Sequence, residues 1–208
     1  MIFENFVLLF CNGDPPSKER LLRIVPQPSL VAGADGGAEK AMMNGYEPTL
    51  VVGDLDSFVY TKQSTEKMEI IKVPSQDNTD FEKTLDILIQ RGFSNIMVVA
   101  FSGGRIDQTV ANLQIVYEYS RKCNLVLLDD NYLVFPTSKD ISLDIASGME
   151  VSMIPMEDDT RVSTEGLQYQ LHNASLRKGG QGISNRTIKN KFEITIHRGG
   201  LLLFVRDS

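Results

Sequence analysis

The stretch LVAGADGGAEKAMMNGYEPTLVVGDLDS, residues 30–57, contains the pattern that decides the fold of this chain. An apolar run at residues 30–34 is followed by Asp35 and a glycine pair, and a second run at residues 50–52 is followed by Asp54 and Asp56. The segment between the two runs has helical spacing. A strand, a helix and a second strand in this order are typical of a unit whose two strands lie parallel in one sheet.

The same alternation extends over the first two-thirds of the chain, with further apolar runs at residues 6–11, 70–73, 95–100 and 125–128. It predicts a mainly parallel sheet flanked by helices. One helix should begin at Thr79, because Glu82 three residues later completes a capping box. Another should begin near Asp107 and turn three side chains inward, namely Val110, Leu113 and Tyr117.

The pattern changes after about Pro136, where apolar and polar residues alternate in runs separated by glycine turns. This period of two indicates antiparallel β structure. The sequence therefore predicts an α/β domain at residues 1–136. A second, all-β domain should follow at residues 137–208.

Composition limits the classes of partner. The net charge of −6 disfavours binding to nucleic acid or to an anionic membrane, because phosphates would be repelled. No apolar run approaches the roughly 20 residues that span a bilayer, and the N-terminus does not have the pattern of a signal peptide. We therefore expect a cytoplasmic protein whose two cysteines, Cys11 and Cys123, are buried and reduced.

Four acidic or glycine-rich segments follow predicted strands, and loops at the carboxyl ends of parallel strands meet at one crevice. Their candidate site residues are Asp35 and Gly36; Asp54 and Asp56; Gln76, Asp77, Thr79 and Asp80; and Gly104, Arg105, Asp107 and Gln108.

Each segment alone has a plain structural explanation. Asp35 would cap a tight turn, Asp54 and Asp56 would form a solvated acidic turn, Asp80 would interact with a helix dipole and Asp107 would be an N-cap. Together, however, they bring carboxylates that suit Mg²⁺ and an arginine that suits phosphate to one edge. The combination predicts a phosphoryl-type transfer, and the absence of a G-x-x-x-x-G-K-[ST] pattern excludes a P-loop mechanism.

The ordered motifs ADGGA, GDLDS, QDNTD, GGRIDQ, STEGLQYQL and GISN, which run through nearly the whole chain, resemble those of the thiamine pyrophosphokinase family. The resemblance implies that residues 1–136 form a catalytic α/β domain that binds nucleotide and metal. It also implies that residues 137–208 form a β-sandwich that binds thiamine and mediates dimerisation, so that the protein is a homodimer. It also implies the reaction of ATP with thiamine to give thiamine diphosphate and AMP, with Mg²⁺ as the cofactor.

The resemblance also implies roles for individual residues. Asp54, Asp56 and Asp80 would bind Mg²⁺. The ATP and transfer site would be lined by a larger set, namely Asn12, Asp35, Gln76, Arg105 and Asp107, together with the neighbouring Gly36, Asp77, Thr79, Gly104 and Gln108. Thiamine would lie against the β domain of the partner subunit, near Ser184 and Asn185.

The chain departs from the family at three positions. Tyr169 stands where the family often has tryptophan, Asn78 where histidine is common, and Arg186 where bacterial relatives often have glutamate. None of these changes removes a predicted metal ligand. An aromatic residue that stacks on thiamine would have to be tyrosine or phenylalanine, because the chain contains no tryptophan.

Three alternative functions remain open at this point. A phosphatase of the haloacid-dehalogenase type would use Asp54 and Asp56 as its D-x-D motif, although that motif is expected after the first strand. A nucleotide-sensing module would bind ATP without forming AMP. A transferase of the same chemistry would use a different small alcohol. The residue that orients the attacking hydroxyl, Asp107 or Asp35, also stays open.

Overall fold

The structure is a computed structural model that describes residues 5–25, 27–54, 68–75 and 77–206. The chain forms two compact units. The first consists of the residues up to 115 together with 122–130, and the second of residues 116–121 together with those from 131 onward.

The first unit is built on a six-stranded parallel sheet in the order β6-β5-β1-β2-β3-β4. Its strands are β1 Val7–Phe10, β2 Leu30–Ala34, β3 Leu50–Gly53, β4 Glu69–Lys72, β5 Asn95–Val99 and β6 Asn124–Leu128. Residues of β1 pair with β2 on one side and with β5 on the other. Every residue of β1 is buried, because this strand lies in the middle of the sheet.

The order of the strands creates a switch point beside β1. The chain proceeds from β1 outward through β2, β3 and β4, and then returns to place β5 on the opposite side of β1. In open α/β sheets, ligands bind in the crevice at the carboxyl ends of the strands on either side of such a point. The loops that follow β1 and β5 are therefore placed where a ligand is expected.

Where the structure describes the connections between these strands, four helices occur: α1 Lys18–Ile24, α2 Gly37–Met43, α3 Asp80–Gln90 and α4 Ile106–Tyr119. The predicted capping box at the start of α3 is confirmed, since Thr79 Oγ1 accepts from Glu82 N and Glu82 Oε2 accepts from Thr79 N. The prediction that Val110 faces inward is wrong. Val110 is 51% exposed and lies one turn from the exposed Ile106, whereas Val116 and Tyr117 are buried.

The second unit is antiparallel. One of its sheets has the order β12-β9-β14-β7 and the other the order β11-β10-β13-β8. Its strands are β7 Tyr132–Thr137, β8 Ile141–Asp144, β9 Glu150–Pro155, β10 Arg161–Glu165, β11 Ala174–Ser175, β12 Asn185–Arg186, β13 Lys191–Arg198 and β14 Leu201–Arg206. The predicted fold class, a parallel α/β sheet with helices followed by antiparallel β structure, is confirmed.

The side chain of Tyr117, at the end of α4, is anchored within the second unit. Its hydroxyl donates to Glu157 Oε1 at 2.5 Å, and Arg121 donates to the same oxygen at 2.8 Å while lying over the tyrosine ring. Burial and this carboxylate raise the pKa of Tyr117 to about 12. Both removal of the phenol from water and the nearby negative charge disfavour the phenolate.

The two cysteines are buried free thiols, as predicted. Burial raises the pKa of Cys123 to about 11 and that of Cys11 still further. Both therefore remain protonated and poorly reactive at neutral pH. Among the helices of the described residues, none is both long and apolar enough to cross a membrane.

Candidate active site

Three aspartates meet at the carboxyl edge of the parallel sheet. Asp35 follows β2, Asp54 follows β3 and Asp80 is the first residue of α3. One carboxylate oxygen from each lies within 4.8 Å of the corresponding oxygens of the other two. We call this group the carboxylate cluster. It forms because the parallel strands β2 and β3 end side by side and α3 packs against both of them.

Asp35 occupies the most constrained position in the carboxylate cluster. It is buried, its backbone φ of 47° lies in the left-handed region, and its amide donates to Val52 O at 2.8 Å. Its Oδ1 is buried without a hydrogen-bond partner among the described residues. A carboxylate oxygen in this state is unfavourable unless a cation or donor reaches it.

The donor set of the carboxylate cluster suits a hard divalent cation. Three carboxylate oxygens lie close together, and Asp35 also has a buried Oδ1 without a hydrogen-bond partner among the described residues. Such a set matches the oxygen ligands that Mg²⁺ and Mn²⁺ favour. The sequence predicted Asp54 and Asp80 as two of three ligands, and these two do come together. The third predicted ligand, Asp56, lies outside the described residues. Among the described residues, Asp35 lies with the other two.

A lysine that the sequence analysis missed contacts this cluster. Lys83 Nζ lies 2.9 Å from Asp80 Oδ1, and the lysine side chain is only 7% exposed. Thr84 Oγ1 donates to the backbone carbonyl of Asp80 at 2.6 Å, in the same turn of α3. The first turn of this helix therefore supplies both a carboxylate and a buried positive charge.

Closely packed glycine loops lie beside the cluster, at the switch point of the sheet. The side chain of Asn12, which follows β1, lies against Gly36, where an added Cβ would be 2.6 Å from Asn12 Oδ1. A Cβ on Gly37 would be 2.0 Å from Phe10 O, and one on Gly13 would be 2.1 Å from Ser102 O. Glycine is needed here because the loops after β1, β2 and β5 touch through their backbones.

The loop after β5 is held in place by partners that the sequence analysis did not identify. Ser102 Oγ donates to Asp129 Oδ2 at 3.0 Å, and Asn112 Nδ2 donates to Phe101 O at 2.8 Å. Gly103 has a φ of +93°, and a Cβ there would collide with the Asp14 carboxylate. No local motif marks these contacts, since their partners lie far apart in the sequence.

Arg105 and Asp107 form an exposed ion pair at the start of α4. Arg105 Nε and Nη2 donate to the two oxygens of Asp107 at 3.1 and 2.5 Å, and Gln108 N also donates to Asp107. The hydrogen bond from Arg105 holds the pKa of the Asp107 carboxyl below its usual value. The helix begins at Ile106, so Asp107 lies in its first turn and is not its N-cap.

The remaining predicted residues of this edge have varied surroundings. The Thr79 side chain takes part in the capping box of α3, and Asp77 Oδ2 accepts from Ser75 Oγ at 2.8 Å. Gly104 has a φ of +65° and, like Gln108, is exposed. Gln76 lies outside the described residues.

Within the second unit, Asn185 anchors the segment that carries Tyr169. Asn185 is buried, its Oδ1 accepts from Tyr169 N at 3.1 Å, and its Nδ2 donates to Tyr169 O at 2.7 Å. The Tyr169 side chain is 65% exposed. Ser184 is exposed with a φ of 57°, and its amide donates to Ser152 Oγ.

Comparison with known proteins bears on both units. Residues 21–127 match the family model described as thiamin pyrophosphokinase, catalytic domain, and residues 139–201 match the thiamin pyrophosphokinase, vitamin B1 binding domain. Thiamin pyrophosphokinase 1 of Caenorhabditis elegans is 30% identical, with 83% of this chain and 77% of that protein covered. Thiamine pyrophosphokinase 1 of Arabidopsis thaliana is 28% identical, with 82% and 75% covered.

Solved structures show the same fold. The crystal structure of thiamine pyrophosphokinase from Bacillus subtilis superposes with a TM-score of 0.83 at 21% identity, covering 98% of this chain and 99% of that one. Thiamin pyrophosphokinase from Candida albicans gives a TM-score of 0.82 at 18% identity, covering 99% and 90%.

The fold and the matched family models define the chain as a transferase of the kinase class. Both family models match in the order expected, and together they extend over most of the described residues. The chain belongs to the thiamine pyrophosphokinase family, whose reaction makes thiamine diphosphate by transfer of a pyrophosphoryl group.

Proposed function

We propose that this enzyme transfers the pyrophosphoryl group of ATP to the hydroxyl of thiamine, with Mg²⁺ held by the carboxylate cluster. The observation that carries the proposal is the approach of Asp35, Asp54 and Asp80 to within 4.8 Å of one another at the carboxyl edge of the sheet. Asp56, predicted as a ligand from the sequence, belongs to the proposal as a further donor. When bound, Mg²⁺ would neutralise the phosphate oxygens on which charge develops during transfer.

The chain's own residues would position the donor nucleotide. The loops after β1, β2 and β5 meet at Gly13, Gly36 and Gly37 at the switch point of the sheet, and we expect the phosphates to bind along these loops. Asn12 lies at the same place and would contact the nucleotide. In the reaction, the thiamine hydroxyl gives up its proton to a general base and its oxygen forms a bond to the β-phosphorus of ATP. The bond from that phosphorus to the α-phosphate oxygen breaks, and AMP leaves.

We propose that Arg105 binds the phosphates of ATP and that Asp107 orients the Arg105 side chain. The guanidinium offers a planar fork of donors, which suits phosphate oxygens. The Asp107 carboxylate has a lowered pKa because it accepts from Arg105, and this makes it a weak proton acceptor. Asp107 therefore orients the arginine and is a poor candidate for the base that takes the hydroxyl proton.

We further propose that thiamine binds at the second unit and that the active enzyme is a homodimer in the cytoplasm. Tyr169, with 65% of its surface exposed, offers an aromatic face for the thiamine rings. Asn185 would act by holding the Tyr169 backbone, because its amide already bonds to that residue. Ser184 is exposed and would contact thiamine directly. In the homodimer these residues would come from the partner subunit.

The test is incubation of the enzyme with ATP, Mg²⁺ and thiamine, followed by mass detection of the products. We expect AMP and thiamine diphosphate in equal amounts, and loss of both products in the Asp54→Asn variant. Glu47→Gln is a matched control, since this exposed carboxylate precedes β3 and lies at the opposite end of the strand from Asp54.

Each of the other functions gives a different result in the same assay. Release of phosphate without any thiamine product would indicate a phosphatase. Binding of ATP without AMP formation would indicate a nucleotide-sensing module. Formation of AMP only with another alcohol would keep the chemistry and refute thiamine as the acceptor.

A further inference from the structure

We propose that Lys83 is the resident counter-cation of the carboxylate cluster. Its ammonium stabilises the cluster before the divalent metal binds, and it competes with the metal for Asp80. This inference rests on the proposed function, because it takes the cluster as the metal site. Lys83 is a positioning residue, since it acts through Asp80.

Lys83 is buried and is paired with one carboxylate of the cluster. The Lys83 side chain is 7% exposed, and its Nζ lies 2.9 Å from Asp80 Oδ1. The Asp80 side chain is 26% exposed. Lysine is almost never fully buried unless it is paired, because an ammonium withdrawn from water needs a negative partner. The spacing of three residues places both side chains on one face of α3.

The cluster in turn has an excess of negative charge. The oxygens of Asp35, Asp54 and Asp80 lie within 4.8 Å of one another, and Asp35 Oδ1 has no hydrogen-bond partner among the described residues. Like charges this close repel, and a nearby cation offsets part of the repulsion. Lys83 reduces the charge of the group from −3 to −2, so the metal-free site is more stable with Lys83 than without it.

The same positive charge opposes an incoming metal ion. A divalent cation at the cluster would lie close to Lys83, and it would share Asp80 with the ammonium. Loss of the lysine charge should therefore tighten metal binding. Removal of Lys83 would also leave the Asp80 side chain less ordered, which opposes metal binding. This effect is smaller than the loss of charge, because the metal itself orders that carboxylate when it binds.

The experiment titrates metal-free protein with Mn²⁺ alone and follows the free ion by electron paramagnetic resonance. Lys83→Met and Lys83→Gln remove the charge, whereas Lys83→Arg keeps it. We expect Met and Gln to lower the Mn²⁺ dissociation constant by roughly three- to tenfold and Arg to leave it within about twofold. Lys139→Met, at an exposed lysine of the second unit, controls for the change in net charge.

A second readout is thermal stability in the presence of a chelator. Without metal, Lys83→Met and Lys83→Gln should melt roughly 2–4 °C lower than the wild type. Their melting temperatures should rise more than that of the wild type when Mn²⁺ is added. If Lys83→Met does not fold, Gln and Arg give the same comparison, because Gln retains a donor for Asp80 and Arg retains the charge.

Unchanged or weaker Mn²⁺ binding in the uncharged variants would overturn the proposal. So would loss of ATP binding with unchanged Mn²⁺ affinity, which would make Lys83 a phosphate ligand. If wild-type protein binds no Mn²⁺, or if Asp54→Asn binds it equally well, the metal site itself fails. If wild-type protein binds Mn²⁺, Asp54→Asn does not, and the Lys83 variants bind it like the wild type, then the metal site stands and only the role of Lys83 is refuted.

Discussion

Replacing Asp35 with asparagine should make the protein more stable and inactive at the same time. The substitution removes one of three carboxylates that lie within 4.8 Å of one another, while its size and shape stay nearly the same. Asparagine also tolerates the left-handed backbone conformation at this position, where φ is 47°. The variant therefore isolates the charge of Asp35 from its packing.

The size of the effect follows from the spacing. Two unit charges 4.8 Å apart interact by roughly 3–4 kcal/mol at an effective dielectric constant of about 20, and Asp35 has two such neighbours. Asp54 and Asp80 are partly exposed and Lys83 contacts Asp80, so water and the ammonium screen most of this repulsion. We expect a net gain of about 1–2 kcal/mol, which corresponds to a rise in Tm of roughly 2–8 °C.

The assay is a thermal melt of wild type and Asp35→Asn, each with a chelator and with millimolar Mg²⁺ and ATP. Wild type should gain stability from Mg²⁺ and ATP, whereas the variant should begin higher and gain little. Glu47→Gln should behave like the wild type in both buffers. A variant that melts at or below the wild-type temperature with chelator, or that gains as much from Mg²⁺, would refute the proposed repulsion.

Three further variants test other parts of the structure. Arg105→Ala should lower turnover by roughly 10²–10³ and raise the pKa of Asp107 toward its usual value, as followed by a ¹³C NMR titration. Tyr117→Phe removes the hydrogen bond to Glu157 and should lower the free energy of unfolding by about 1–2 kcal/mol, measured by urea denaturation. Gly33→Ala should destabilise the protein by at least about 2 kcal/mol, because the new Cβ would lie 2.4 Å from a backbone nitrogen of α2.

Each of these three predictions has a further check or control. An unchanged pKa at Asp107 would mean that Arg105 is not its partner in solution. The raised pKa of Tyr117 means that wild type loses stability as pH rises from about 10 to about 12, since only the unfolded chain releases the proton there. Tyr117→Phe should lack this loss. Gly180→Ala is the control for Gly33, because a Cβ there meets nothing within 4 Å.

The parallel sheet could be predicted closely because its strands are short apolar runs that end in polar loops. The predicted run at residues 30–34 coincides with β2, and the capping box at Thr79 fixed the start of α3. The sequence pattern also predicted that Asp35, Asp54 and Asp80 lie at one edge of the sheet, because the strands predicted there are parallel. It did not place Asp35 within contact distance of the other two, because that depends on the neighbouring positions of β2 and β3.

Other features depend on packing that no local pattern records. Lys83 looks like a solvent-exposed lysine in sequence, yet α3 lies against β2 and β3 and buries it. Val110 has helical spacing with Tyr117, but it shares the outward face of α4 with Ile106. Asn185 has a structural role that the sequence did not indicate, since its amide bonds to the Tyr169 backbone. In each case the deciding neighbour is distant in the sequence or on another face of the helix.

The most direct test of the account is a crystal structure of the protein with Mn²⁺ and a non-hydrolysable ATP analogue, with anomalous data collected at the manganese edge. The account predicts a manganese peak between the carboxylates of Asp35, Asp54 and Asp80, with phosphate oxygens of the analogue on the same ion. A manganese peak elsewhere, or a bound nucleotide with no ion at these three side chains, would contradict it.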